Sequence, residues 1–240
     1  MLRDVVKVLV AGDHFIRPAA VAEGLHTELG ERVAVTSLTG PWPMRPFGPI
    51  AEVHEASGDE DELIAALRDV EVAITQMAPF TSNVLANAPV LKLLVVTRGG
   101  PVNVNLAEAA ARGVTVCSTP GRNAPAAAEL AVALTLGVLR RLSEVHATMR
   151  DGHWRSDLYA YDVCGGELDG AEVGIVGFGA IGRRVATAFQ ALGARVLVAD
   201  PFAGPLPEGV TLVELPELLA RSRVVSLHAR LTAETHGLIG

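Results

Sequence analysis

The ten residues from Val173 to Gly182 read VGIVGFGAIG, an apolar run that opens into the spacing G-x-G-x-x-G. Few patterns restrict a fold so narrowly. Val173, Ile175 and Val176 have the character of a buried strand, and a strand running into such glycines before a helix opens a βαβ unit. Gly177 permits the tight turn, Gly179 lets an anion approach the backbone, and Gly182 lets helix and strand pack closely. Ile181, Val185, Phe189 and Leu192 then recur at helical spacing, which predicts one apolar face, and Gly193 is expected to end the helix. RVLVAD reads as the next strand and delivers Asp200 at its end. A carboxylate there accepts hydrogen bonds from ribose hydroxyls and repels a 2′-phosphate, and Pro201, Phe202 and Ala203 follow it instead of an arginine. The pattern predicts a dinucleotide-binding unit that takes NAD rather than NADP. Its pyrophosphate would rest on the helix N-terminus, where free N–H groups and the dipole favour an anion. The competing reading is another Rossmann-like enzyme, such as a methyltransferase that binds S-adenosylmethionine.

About 170 residues precede this motif in a chain of 240. They alternate strand-like runs (VVKVLVAG, RVAVTS, EVAITQM, LKLLVVT, VTVCS) with helix-like ones (RPAAVAEGLHTELG, DEDELIAALRDV, TSNVLANA, NLAEAAARG). Such alternation predicts a parallel sheet with helices on both faces. LTGPWPMRPFGPI, rich in proline and glycine, reads as a loop. Residues 124–150 read as one long helix, so apolar in its first half that burial between domains or subunits is expected. The sequence therefore predicts an α/β chain with domains at 1–122 and 123–240.

Composition narrows the function classes. A net charge of −7 argues against nucleic acid or an anionic membrane as the main partner. The longest apolar run, Leu130 to Leu139, is too short to span a bilayer. Cys117 and Cys164 lack metal-ligand spacing, and two thiols fit a cytoplasmic protein, although spacing alone leaves a disulfide open. His14, His26, His54, His146 and His236 have no partner spacing that points to a metal or a catalytic pair. No metal site is expected.

The glycine unit, taken with LKLLVVTRGGPVNVNLAEAAARGVTV, STPGRNAPAAAELAVALTLGVLRR, DGHW, GGELDGAEVGIVGFGAIG, VLVADP and VVSLHARLTAETHGLIG, resembles the D-isomer-specific 2-hydroxyacid dehydrogenases. The resemblance is strongest over residues 90–240. It implies a flavodoxin-like substrate domain written first, then an NAD-binding Rossmann domain, and a homodimer. By position it places Gly177, Gly179, Ala180, Ile181 and Gly182 in the phosphate-binding turn and Asp200 at the adenosine ribose. His228 and Ala229 fall where the chain passes the cofactor. Arg98, Gly99 and Gly100 match the loop whose backbone N–H groups hold the substrate carboxylate. Asn123 matches an amide near the substrate in formate-oxidising members, Glu129 reads as structural, and Trp154 matches a packed tryptophan after His153.

The chain also departs from the family pattern. Val102-Asn103-Val104-Asn105 stands where D-N-V-D is common, Ser118 replaces an asparagine, Arg223 an aspartate and Arg230 a proline. The family's catalytic arginine, acid and histidine fall beyond the LIG segment. No catalytic residue is therefore expected within this chain, and it reads as a C-terminally truncated enzyme with an incomplete Rossmann domain. A non-catalytic NAD-binding module is the alternative.

Overall fold

Strand β1 (Val6–Gly12) runs through the middle of a sheet, and Val8, Leu9, Val10 and Ala11 are all buried, as a strand covered on both faces requires. The computed structural model describes residues 5–42, 47–232 and 234–239. The chain divides into two units, Met1–Arg122 and Asn123–Gly240.

In the first unit β1 is followed by α1 (Pro18–Leu29), β2 (Val33–Thr39), β3 (Gly48–Ile50), β4 (Val53–Ala56) and α2 (Glu60–Leu67). Then come β5 (Val72–Thr75), α3 (Ser82–Ala86), β6 (Leu93–Val96), α4 (Leu106–Ala111) and β7 (Thr115–Ser118). Five strands pair in parallel in the order β2-β1-β5-β6-β7, which is the flavodoxin-like order. Helix starts are set locally. Pro18 opens α1, and the side chains of Asp59, Thr81 and Asn105 cap α2, α3 and α4 by accepting from Glu62, Val84 and Glu108 N–H. Leu9, Leu63, Leu67, Phe80 and Leu94 fill one face of the sheet. Val8, Val33 and Ile74 meet Val21 and Leu25 of α1 on the other.

The loop expected from Leu38 to Ile50 is shorter than the sequence predicts. β2 continues to Thr39, and Gly48–Ile50 forms an antiparallel pair with β4. Pro49 is tolerated there because a two-stranded hairpin leaves outward N–H positions unpaired. Residues 43–46 of that stretch lie outside the described residues.

The second unit begins with α5 (Ala124–Leu139) and α6 (Leu142–Arg150). It continues with β8 (Glu172–Val176), α7 (Ala180–Ala191), β9 (Arg195–Ala199), β10 (Val210–Leu212), α8 (Leu215–Arg221) and β11 (Val224–Leu227). The strands pair in parallel in the order β10-β9-β8-β11, the first four positions of the Rossmann order. The chain is α/β in both units, with the two sheet types that its sequence predicts.

Three local expectations fail in this unit. Residues 124–150 form two helices, because Arg141 adopts φ 52°, a left-handed conformation that ends the α-helical run. Its guanidinium grips the Glu144 carboxylate at 2.8 and 3.0 Å and donates to Val163 O at 2.9 Å, which offsets the backbone cost. The apolar face of α7 consists of Gly182, Val185, Ala186 and Phe189, while Leu192 follows the helix and is 42% exposed where the chain turns away at Gly193. Trp154 is 69% exposed and lines a cavity of about 240 Å³ with Val145, Met149 and Tyr159, so it is not packed as expected. Cys117 and Cys164 are free thiols.

Candidate functional site

The order of the second sheet reverses between β8 and β11, and a crevice at such a switch point is where open α/β sheets take ligands. Both strands end there on the glycine turn. Gly177 has φ +90°, and a Cβ on it would fall 2.6 Å from Ala229 N and 2.8 Å from the His228 carbonyl carbon. His228 N–H donates to Val176 O at 2.7 Å, so the end of β11 is tied across the turn. The structure thus brings His228 and Ala229 directly against the glycines. A Cβ on Gly182 would lie 2.1 Å from Gly177 O, so α7 reaches the turn only because that position has no side chain.

Gly179 differs from both. A Cβ there would meet nothing within 4 Å, and no side chain caps the start of α7 at Ala180 and Ile181. Open space before uncapped helical N–H groups suits a pyrophosphate. At the end of β9, Asp200 Oδ2 accepts from Phe178 N–H at 2.6 Å and Oδ1 from Phe202 N–H at 2.8 Å. Each oxygen keeps acceptor capacity for a ribose hydroxyl. These residues fit NAD.

The His228 ring is half-buried, and burial holds its pKa below the ordinary histidine value. Its Nε2 lies 2.8 Å from Ser226 Oγ, and among the described residues no histidine ring is paired with a carboxylate. Burial thus favours its neutral, hydrogen-bonded form. Phe178 and Arg183 were not legible as site residues. The Phe178 ring is buried, and the Arg183 guanidinium stacks 4.4 Å from its centroid. The glycine pattern leaves that intervening position free, so no sequence signal marks it.

In the first unit, Gly99 and Gly100 follow β6 with open space beside both Cα atoms. The Arg98 side chain is engaged within the first unit. It is ion-paired with the Glu55 carboxylate and its guanidinium also lies 3.4 Å from Met77 Sδ. Only its backbone serves the loop, where Arg98 O accepts from Thr119 N–H at 2.9 Å. Asn123 is exposed at the first position of the second unit, and its side chain makes no cap on α5.

Both asparagines of the Val102–Asn105 stretch have structural roles. Asn103 is fully buried and donates to Ala78 O at 2.8 Å, while Asn105 caps α4 and donates to Glu52 Oε1 at 2.8 Å. That donation, with Ser82 N–H second, lowers the Glu52 pKa to about 2.

Comparison with known proteins decides the family. Residues 132–240 match the model of the D-isomer specific 2-hydroxyacid dehydrogenase NAD-binding domain. The TT0316 protein from Thermus thermophilus superposes with a TM-score of 0.76 and 31% identity, over 97% of this chain and 68% of that one. This chain belongs to the D-isomer-specific 2-hydroxyacid dehydrogenase family. The Bacillus subtilis (strain 168) protein YoaD, which carries the name of a 2-hydroxyacid dehydrogenase, is 40% identical over 187 residues, 75% of this chain and 54% of its own. The D-3-phosphoglycerate dehydrogenase of Mycobacterium tuberculosis (H37Rv) is 35% identical over 212 residues, 86% of this chain and 39% of its own. The chain thus spans about half the length, or less, of these two curated relatives. NAD is the cofactor that the matched domain binds.

Proposed function

We propose that the protein is an NAD-dependent oxidoreductase acting on the CH–OH group of a small 2-hydroxy acid, or in reverse on the 2-keto acid. In this reading residues 1–122 form the substrate domain and residues 123–240 the cofactor domain. The observation that carries it is Asp200, aimed by two backbone N–H groups beside a glycine turn open at Gly179. NAD, when bound, supplies the site that accepts or donates the hydride. The N–H groups of Gly179, Ala180, Ile181 and Gly182 receive the pyrophosphate, and Gly177 gives the turn its path. Asp200 takes the adenosine hydroxyls, and His228 and Ala229 close one side. Backbone N–H groups at Gly99 and Gly100 hold the substrate carboxylate.

Proton transfer needs an acid–base group held by a partner within hydrogen-bond reach. His228 is hydrogen-bonded to Ser226 and, among the described residues, no carboxylate sets its tautomer, so it is assigned to ordering its loop. We infer that the 240 residues alone hold NAD without turning over a 2-keto acid. Assayed by NADH absorbance with glyoxylate, hydroxypyruvate or a phosphorylated analogue, residues 1–240 are expected to leave NADH unoxidised. Reduction by the 240-residue chain would contradict its assignment as non-catalytic. Absence of saturable NADH binding would overturn the dehydrogenase reading.

A homodimer goes with this function, and exposed Leu130, Leu134 and Val138 on α5 support it. A cytoplasmic location is consistent with two free thiols. No described helix is long and apolar enough to cross a membrane.

A further inference from the structure

The C-terminal ends of the first unit's strands hold a guanidinium that is braced without being neutralised. Arg122 Nε donates to the Thr97 carbonyl at 2.9 Å, and its Nη2 lies 3.5 Å from Gln76 Oε1. Its guanidinium carbon sits 5.2 Å from the centre of the Phe15 ring. Thr97 follows β6, Gln76 follows β5, and Phe15 lies in the loop after β1. These three segments line the edge of the sheet where parallel α/β folds take their ligands. Phe15 is itself fixed, because buried Asp13 accepts the N–H groups of Phe15 and Ile16 at 2.7 Å each.

None of these contacts cancels the charge. A carbonyl and an amide oxygen are neutral acceptors, and the ring offers only its quadrupole. Among the described residues no carboxylate forms an ion pair with Arg122, whereas Arg98 in the neighbouring loop is neutralised by Glu55. Two of the roughly five N–H donors of a guanidinium are engaged, and the remainder stay available for an anion. Arg122 is exposed, and the residue it grips, Thr97, leads directly into the open Gly99–Gly100 loop.

We propose that Arg122, rather than Arg98, is the cationic residue with which the first unit binds the carboxylate of its substrate. Gln76 and Phe15 hold the fork in place, and Arg98 positions the loop through Glu55. A planar guanidinium pairs with a carboxylate through two parallel hydrogen bonds, a geometry that lysine does not reproduce. The inference rests on the 2-hydroxy acid reading above.

The test is titration of the 240-residue chain with oxamate, a small 2-keto acid analogue, followed by amide NMR shifts at Gly99 and Gly100. NADH affinity is measured on the same samples. Arg122→Gln is expected to weaken oxamate binding by about ten-fold or more, Arg122→Lys to recover part of the loss, and both to bind NADH as the parent does. Unchanged oxamate affinity in Arg122→Gln would overturn the assignment, as would a parent chain with no saturable shifts at the loop. NADH binding separates the two failures. A parent that binds NADH without an Arg122 effect refutes only this inference, and one that binds neither refutes the dehydrogenase reading as well. The amide spectrum of each variant reports whether the first unit remains folded, and Arg122→Lys carries the test if Arg122→Gln does not.

Discussion

Three glycines within six residues meet three different physical demands, and substitutions separate them. Gly182 is a packing position. An alanine there meets Gly177 O at 2.1 Å, so Gly182→Ala should destabilise the second unit by about 1–3 kcal/mol, as overpacking of a tight contact does. Gly179 is the proposed ligand position. Its backbone has φ −81°, which alanine adopts freely, and a Cβ there meets no protein atom within 4 Å. Gly179→Ala should therefore leave urea stability within about 0.5 kcal/mol while weakening NADH binding. Equal stability losses in the two variants, read by denaturant midpoints, would mean that the space at Gly179 serves packing. At the same scale, the sequence marked Arg98 but not the ion pair that occupies it, because Glu55 lies 43 residues away in an unrelated segment. Arg122 carries no sequence signal for the same reason: each of its three contacts is distant in sequence.

At the scale of elements, strands and helix starts were largely legible because their causes are local. Pro18 at the first turn of α1 and the acid-rich start of α2 are examples. The break between α5 and α6 was not. Nothing in Leu-Arg-Arg-Leu forbids helix, and the left-handed turn at Arg141 is stabilised by Val163, more than twenty residues on. The hairpin of β3 and β4 was hidden by prolines that argue against strand in general and are harmless in an isolated pair. The expected burial of α5 is only partly met by the chain itself. Ala124 and Ala128 are buried, while Leu134 is 60% and Val138 77% exposed. If a second copy covers this face, sedimentation should give a dimer for the parent and a monomer for Val138→Glu. Identical mass for both would remove α5 from the interface.

At the scale of the whole molecule, two parallel sheets of different order present their loops at the C-terminal ends of their strands, where parallel sheets place ligands. The family, the α/β class and the cofactor were legible because the glycine turn and Asp200 lie within a short stretch of sequence. The substrate is less legible, since its residues come from loops that only the folded sheet gathers. The central claim is that the second unit is built for NAD, and direct titration of the purified chain with NADH, NADPH and S-adenosylmethionine tests it. Saturable NADH binding is predicted, with NADPH weaker because Asp200 repels the 2′-phosphate and Asp200→Ala narrowing that difference. Preferential binding of S-adenosylmethionine, or NADPH bound as tightly as NADH by the parent chain, would contradict the account.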